Sequence, residues 1–256
     1  MKYEKRLTCF IDLLGFKGAI QQSLVEPEVA DRLFVLLDEF RDGGLERAIY
    51  SEVPFLGEDG PKTCGEYYGD KLLESSDPNY GLTATQFSDS FVLSVPAGNQ
   101  VSCLMLIKAL RIIHIQFFYS IGMLMRGGIA VGNLVHQRGG ALYGPAMNEA
   151  YQLESNCAVY SRVVASEEAS QLIDKSTMDT PLARNFFKGF DGFTSFDLIS
   201  IYECPGSFQK DIKKLESQLL LVEKDILANA KAAHPKIAYL ISRWESVKSG
   251  IGLPAE

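Results

Sequence analysis

Apolar residues lead into a single aspartate in Cys9-Phe10-Ile11-Asp12-Leu13-Leu14-Gly15-Phe16. A similar arrangement recurs in Gln86-Phe87-Ser88-Asp89-Ser90-Phe91-Val92-Leu93-Ser94-Val95, where the aspartate stands between two strand-like runs. A fold that brings two such carboxylates together can hold a divalent cation, because Mg²⁺ is usually bound by one or two carboxylates and by substrate phosphates. The two stretches therefore predict a metal-dependent phosphate chemistry.

Around these stretches, strand and helix patterns alternate as β-α-β-β-α-β over residues 6 to 131. The elements are a buried strand at 6–14, a helix that opens at Glu26-Pro27-Glu28, strands at Tyr80–Phe87 and Ser90–Val95, a helix at 100–120 and a strand at Met125–Val131. This order predicts an α+β protein with a ferredoxin-like sheet and helices on one face. A further helix from about Pro145 to Ser155 and a strand at Cys157–Ala165 follow.

The rest of the chain divides into an insertion and a tail. Residues 51–80 are rich in Gly, Pro, Asp and Ser, which predicts an irregular insertion in a catalytic domain of residues 1–203. Residues 204–256 predict a helical C-terminal extension, packed on its own subunit or between subunits. Its apolar seam is too short for a strong coiled-coil signal, so packing within the chain is favoured over a dimerising coiled coil. The seam consists of Ile212, Leu215, Leu219, Val222 and Ile226, continued by Ile237, Leu240, Ile241 and Trp244.

Composition narrows the setting and the partners. A net charge of −7 without a long basic run argues against nucleic acid. Five scattered cysteines without a Cys-x-x-Cys pair, and a start that lacks a signal peptide, predict a reduced cytoplasmic setting. The apolar stretch from Val101 to Met125 carries Lys108, Arg111 and His114 at three-residue spacing, which we interpret as the solvated stripe of a soluble helix rather than a membrane span.

The surroundings of the histidines and the lack of two common glycine motifs argue against several enzyme classes. His114, His136 and His234 are not near a serine or cysteine in a nucleophile context, so a hydrolytic triad is disfavoured. The sequence contains neither a P-loop nor a dinucleotide-binding glycine motif. Taken singly, Asp12 could cap the turn that follows it and Asp89 could be an ordinary hairpin residue. The motifs further along the chain favour the metal-binding interpretation.

Two later motifs complete a recognisable series. Arg126-Gly127-Gly128-Ile129-Ala130-Val131-Gly132 is followed by Tyr143-Gly144-Pro145-Ala146-Met147-Asn148, on a helix that reaches Glu154-Ser155. With the two aspartate stretches, the whole pattern resembles the catalytic domain of class III nucleotidyl cyclases. The resemblance covers roughly three quarters of the chain if Phe187-Lys188-Gly189-Phe190 matches the family's late Lys-Gly turn.

The resemblance implies a homodimer with composite active sites and two Mn²⁺ or Mg²⁺ ions per site. Asp12 and Asp89 match the metal-binding aspartates, and the backbone carbonyl of Leu13 is a further implied ligand. The implied phosphate contacts are the backbone amides of Leu14, Gly15 and Phe16, together with Lys188. Asn148, contributed by the other subunit, matches the residue that orients the ribose. The implied reaction is in-line attack of the ribose 3′-hydroxyl on the α-phosphorus, with loss of pyrophosphate.

Three positions depart from the family pattern. Thr85 and Ala141 stand where the family has its purine-reading Lys and Asp, and Gln152 stands where it has the transition-state Arg. The missing positive charge would come from Arg126, Arg138 or Arg162, and we take Arg126 as the catalytic candidate.

A chain with the metal pair but without purine readers is similar to the bacterial Pycsar-type pyrimidine cyclases of anti-phage defence. The absence of a sensor-like segment before residue 6 agrees with that similarity. Tyr50, Thr85 and Gln86 are the candidates for the wall that reads the base, although Tyr50 could be an ordinary packing residue. The resemblance therefore implies conversion of UTP to 3′,5′-cyclic UMP. The alternatives are cyclic CMP synthesis, a purine cyclase with unusual base contacts, and a homologue that binds nucleotide without turnover.

Overall fold

A computed structural model of the chain describes residues 2–39, 45, 55–57, 60–62, 81–203 and 212–248. Most of its strands form one mixed sheet in the order β4-β5-β1-β6-β8-β10-β9, with β7 paired to β6. These strands are β1 (Glu4–Leu14), β4 (Thr83–Phe87), β5 (Ser90–Pro96), β6 (Leu124–His136), β7 (Leu142–Tyr143), β8 (Val163–Ala165), β9 (Phe187–Lys188) and β10 (Thr194–Phe196). The β4-β5-β1-β6 half is the sheet of a βαββαβ unit, so the predicted ferredoxin-like α+β core is confirmed.

Strand β1 lies at the centre of this unit and pairs antiparallel with both β5 and β6. Its alternate residues point to opposite faces of the sheet. Leu7, Cys9, Ile11 and Leu13 enter the main hydrophobic core, whereas Phe10 belongs to a smaller cluster on the other face. Asp12 has the same parity as Phe10 and therefore lies on the face opposite the main core.

Helices cover both faces of the sheet. The helices are α1 (Phe16–Ser23), α2 (Pro27–Glu39), α3 (Gln100–Ile121), α4 (Pro145–Asn156), α5 (Glu167–Thr177), α6 (Leu198–Tyr202), α7 (Ile212–Asn229) and α8 (His234–Val247). Within the βαββαβ unit, α2 and α3 pack on the main-core face, as predicted. Helix α4 packs on the opposite face, against β6 and β1. Helix α1 was not predicted from the sequence.

The interpretation of Lys108, Arg111 and His114 as a solvated stripe is wrong. Their exposed fractions are 0%, 2% and 3%. Arg111 donates a hydrogen bond to Asn185 Oδ1 at 2.7 Å, and the His114 ring lies edge-on to Phe196. The polar stripe of α3 is therefore covered by later parts of the chain. Among the described residues, α3 is the one helix long and apolar enough to span a membrane. Of its most apolar stretch of 18 residues, 89% is buried inside the protein.

Two glycines in β6 allow α4 to approach the sheet. A Cβ atom at Gly128 would lie 2.1 Å from the backbone oxygen of Ala150, and one at Gly132 would lie 3.3 Å from the Cβ of Ala146. The stretch from Arg126 to Gly132 therefore contains glycine at these positions because α4 packs closely against them. Because Gly128 faces Ala150 and Gly132 faces Ala146, α4 runs antiparallel to β6.

The expected insertion and the last predicted strand differ in detail from the sequence prediction. Within residues 51–80, Phe55–Gly57 (β2) pairs with Gly60–Lys62 (β3), so this segment is not wholly irregular. The last predicted strand is shorter, since β8 begins at Val163 rather than Cys157. Helices α7 and α8 pack on each other and on the chain itself, with most of the predicted seam buried.

Candidate functional site

Asp12 and Asp89 lie on neighbouring strand ends. Asp12 is paired with Ser90 in the β1–β5 register, and the amide of Leu13 donates a hydrogen bond to the carbonyl oxygen of Asp89 at 2.8 Å. The β4–β5 turn is tight, because Ser88 adopts a left-handed conformation with φ of 53°. The fold therefore brings together the two aspartates that lie far apart in the sequence.

Helix α1 begins four residues after Asp12, beyond the end of β1 and Gly15. Gly15 has φ of 97°, a conformation that favours glycine, and no side chain caps the first turn of the helix. An uncapped helix N-terminus presents backbone N–H groups to an anion. Phe16 is buried in the main core, so its backbone amide is the part of this residue that a phosphate could reach. Leu14 is half-buried and Gly15 is exposed.

Arg126 lies between two carboxylates. It is the cross-strand partner of Asp12, and its Nε donates a hydrogen bond to Asp12 Oδ2 at 3.1 Å. The same Nε lies 2.7 Å from Oε1 of Glu154, on the buried side of α4. Because Nε carries one hydrogen, which is directed at Asp12, the contact with Glu154 is an ion pair without a hydrogen bond. Oε1 of Glu154 accordingly has no hydrogen-bond partner.

The C-terminal extension adds a fourth charge to this group. Burial lowers the pKa of Lys236 on α8, the positive charge of Arg126 lowers it further, and the negative charges of Asp12 and Glu154 oppose the shift. One turn further along α8, the ring of Tyr239 stacks on Tyr160 with centroids 5.1 Å apart. The extension is therefore held against the Asp12 end of the sheet.

The donor set at this end suits a hard divalent cation. Asp12 and Asp89 would supply carboxylate oxygens, and the carbonyl of Leu13 remains the predicted backbone ligand. Within the described ranges, no group of three or more His, Cys, Asp or Glu side chains is placed to hold a metal ion. A carboxylate pair whose coordination is completed by substrate phosphates and water fits the preference of Mg²⁺.

Asn148 and Gln152 lie on the outer surface of α4. Both are exposed, whereas Ala146, Ala150 and Glu154 face the sheet. Asn148 precedes Glu154 by six residues, a rise of about 9 Å along the helix. Within one chain, Asn148 therefore points away from the sheet and lies well along α4 from the Asp12 end.

The predicted base-reading residues lie on or near the edge strand β4. Thr85 is held by His136, whose Nε2 lies 2.8 Å from Thr85 Oγ1, while its Nδ1 lies 2.8 Å from Ser94 Oγ. Burial and the charge of Arg6 lower the pKa of His136 to about 4. Gln86 donates a hydrogen bond from its side chain to the carbonyl oxygen of Ser88. Tyr50 lies outside the described residues.

This network places a serine beside a histidine, which the sequence did not indicate. The group next to Ser94 is a cation, because Arg6 Nε donates to Ser94 Oγ at 2.8 Å. A hydrolytic triad needs a carboxylate that orients the histidine, and both ring nitrogens of His136 are instead hydrogen-bonded to hydroxyl groups. The arrangement therefore gives no support to a nucleophilic serine.

The other basic residues predicted for the site lie away from Asp12. Arg162 is buried and forms an ion pair with Asp191, so it is committed to the fold. Arg138 is exposed in the turn after β6. Lys188 is exposed on β9, the strand at the far end of the sheet from β4. Of the three candidate arginines, Arg126 is the one that contacts Asp12.

Sequence reasoning assigned no role to Glu154 or Lys236. The burial of Glu154 could have been predicted from the sequence. It continues the four-residue spacing of Ala146 and Ala150, which places an acid on the buried face of α4. The position of Lys236 could not have been predicted, since no local pattern relates a lysine of the tail to the first strand.

The comparisons with known proteins give only distant structural likenesses. Neither a family model nor a curated protein matches the chain. A class III adenylyl cyclase-like ATP-binding protein from Pseudomonas aeruginosa is similar, with a TM-score of 0.46 and 14% identity; the match covers 77% of this chain and 39% of that protein. A bacterial light-regulated adenylyl cyclase has a TM-score of 0.43 and 14% identity, with 85% and 99% covered.

A third similar structure is an adenylate/guanylate cyclase/hydrolase from Silicibacter pomeroyi, with a TM-score of 0.42 and 14% identity over 77% of this chain and 96% of that one. All three TM-scores are below 0.5. The functional argument therefore rests on the residues of this chain.

Proposed function

We propose that the protein is a nucleotidyl cyclase that converts a nucleoside triphosphate into its 3′,5′-cyclic monophosphate and pyrophosphate. The observation that carries this proposal is the adjacency of Asp12 and Asp89, fixed by the hydrogen bond from Leu13 to Asp89. The uncapped N-terminus of α1 begins a few residues after Asp12, at a position suited to a triphosphate. The resemblance of four ordered motifs to class III cyclases supports the same reaction.

The residues at this end of the sheet have complementary roles in the proposal. Asp12 and Asp89 hold the cations, and the backbone amides from Leu14 to Phe16 bind the phosphates. Two Mn²⁺ or Mg²⁺ ions, when bound, would activate the 3′-hydroxyl and neutralise the leaving pyrophosphate. Arg126 would offset negative charge next to the transferring phosphoryl group. Lys188, at the far end of the sheet, would reach the outer phosphates of a site formed with a second subunit.

The position of Asn148 supports a composite site between two copies of the chain. Its side chain is exposed on α4 and lies away from the Asp12 end of its own chain. An asparagine that orients the ribose would therefore serve the Asp12 and Asp89 of a second copy. We accordingly propose a homodimer with two equivalent sites.

We propose a pyrimidine substrate, with UTP preferred over CTP. Thr85 and Ala141 stand where the resembling family has its purine-reading lysine and aspartate, so neither purine contact can form. Thr85 is partly exposed beside His136, and its short hydroxyl side chain in place of a lysine supports a small pyrimidine base. Cyclic UMP would then act as an anti-phage second messenger, as in the Pycsar-type cyclases that the sequence resembles.

Product analysis tests this proposal. The purified protein is incubated with each of the four ribonucleoside triphosphates and Mn²⁺, and the products are identified by mass. We expect cyclic UMP as the main product and its loss in Asp12→Asn and Asp89→Asn. The control is Asp174→Asn, which removes an exposed carboxylate of α5. A main product of cyclic AMP or cyclic GMP would overturn the choice of base, and unchanged triphosphates would overturn the enzyme.

A second candidate function is nucleotide binding without turnover. It is favoured by the ion pair between Arg126 and Asp12, which occupies one oxygen of a proposed metal ligand, and by Gln152 in place of an arginine. The same assay separates the two functions. A protein that binds UTP in calorimetry but forms no cyclic product supports the second.

A further inference from the structure

The buried carboxylate of Glu154 has one oxygen that lacks a hydrogen-bond partner. Its side chain is 3% exposed, and one oxygen accepts a hydrogen bond from the hydroxyl of Ser155 at 2.8 Å. The other oxygen, Oε1, has no hydrogen-bond partner. A buried acceptor without a donor is costly, and such atoms are few in native proteins.

The nearest cation to this atom is already engaged elsewhere. Arg126 Nε lies 2.7 Å from Glu154 Oε1, yet it directs its single N–H at Asp12 Oδ2, 3.1 Å away. Two carboxylates therefore compete for one donor. A small reorientation of the guanidinium would exchange the hydrogen bond to Asp12 for one to Glu154, and it would satisfy the orphaned oxygen.

We propose that Glu154 is a positioning residue that takes Arg126 from Asp12 when a divalent cation binds. This inference rests on the proposed function, because it assumes that Asp12 is a metal ligand. A divalent cation next to Asp12 repels the guanidinium and competes for the same oxygen. Glu154 lets the charge of Arg126 remain paired after the exchange, so Asp12 becomes available without leaving a buried unpaired charge.

The surroundings make Glu154 the fixed partner and Arg126 the moving one. Glu154 is held on a helix that packs against the sheet at Gly128, where a Cβ atom would lie 2.9 Å from the backbone nitrogen of Glu154. Arg126 is 27% exposed and therefore has room to turn. Lys236 places a second positive charge near the same carboxylates.

Mn²⁺ binding to the nucleotide-free protein, followed by electron paramagnetic resonance, tests the exchange. We expect Glu154→Gln to weaken Mn²⁺ binding about tenfold, because Arg126 then has no alternative carboxylate and stays on Asp12. Glu149→Gln is the matched control, since it removes an exposed carboxylate from the same helix and should leave binding unchanged.

The decisive variant combines two changes. In an Arg126→Gln background no guanidinium competes for Asp12, so Glu154→Gln should cause no further loss of Mn²⁺ affinity. An equal loss in both backgrounds, or no loss in either, would overturn the inference. If the unaltered protein binds no Mn²⁺ at the Asp12 site, the proposed function itself fails, which is a different result.

A measurement on the unaltered protein covers the case in which Glu154→Gln does not fold. The Nε–H resonance of Arg126, assigned by its loss in Arg126→Lys, is followed during a Mg²⁺ titration of ¹⁵N-labelled protein. We expect the resonance to move as its acceptor changes, with the midpoint of Mg²⁺ binding measured by calorimetry. Saturation with Mg²⁺ while the resonance stays fixed would overturn the exchange.

Discussion

The amide of Leu13 donates a hydrogen bond to the carbonyl oxygen of Asp89 at 2.8 Å, across the junction of β1 and the β4–β5 turn. This one bond ties the residue after the first aspartate to the second aspartate. The backbone positions of the two aspartates thus depend on a strand register and a tight turn. Such rigid placement is what a metal site requires.

Packing of α4 on β6 should be sensitive to one methyl group. We expect Gly128→Ala to lower the free energy of unfolding by about 1–3 kcal/mol or more, because the new Cβ would clash with the backbone of Ala150. Urea denaturation measures this change. Gly18→Ala is the control: it lies in α1 with open space around it and should stabilise by about 0.5–1 kcal/mol. Equal effects of the two substitutions would contradict the packing described for α4.

The sequence predicted the core of the fold because its strands are short apolar runs with distinct ends. The β1 and β5 predictions, and the turn at Ser88-Asp89, placed both aspartates correctly at strand ends. The glycines of β6 were recognised as a motif, but their reason is the approach of α4, which no local pattern reveals. Asp12 could be proposed from sequence, whereas its contact with Arg126 required the register of two strands 114 residues apart in the chain.

The polar positions of α3 show that residue spacing alone does not tell an exposed helix face from a buried one. Lys108, Arg111 and His114 have the spacing of a wet stripe, and the same spacing suits a stripe buried under other elements. One partner of Arg111 is Asn185, which follows it by 74 positions. A helix pattern shows that polar groups share a face, but it does not show what covers that face.

Buried His114 should make the fold sensitive to acid. Burial lowers the pKa of His114 to about 3, against about 6.5 for an exposed histidine. The unfolded chain therefore binds more protons between these values, and stability falls as the pH drops from about 6.5 towards 3. We expect His114→Gln to flatten the acid side of the pH–stability curve, measured by urea denaturation from pH 7 to 4. His234→Gln, at the partly exposed end of α8, is the control. The same acid slope in His114→Gln as in the unaltered protein would show that this residue is not the cause.

Mixing two inactive variants tests the composite site. Asp12→Asn and Asn148→Ala should each be inactive alone, but a heterodimer of the two would contain one intact site. With random exchange of subunits, about a quarter of the unaltered activity should return, since half of the dimers are mixed and each has one of two sites intact. Coupled assays of cyclic product measure the recovery. Mixtures of Asp12→Asn with Asp89→Asn should remain inactive, because both defects affect the same half-site. Recovery in that second mixture would contradict the proposed division of residues between subunits.

The central claim is that Asp12 and Asp89 jointly hold the divalent cations of one site. Mn²⁺ binding in the presence of a non-cyclisable UTP analogue tests it most directly, in Asp12→Asn, Asp89→Asn, the double variant and the Asp174→Asn control. Because the two ligands share a site, we expect each single substitution to weaken binding by tenfold or more and the double variant to lose little beyond that. Retention of full Mn²⁺ affinity in either single variant, as in the control, would contradict the claim.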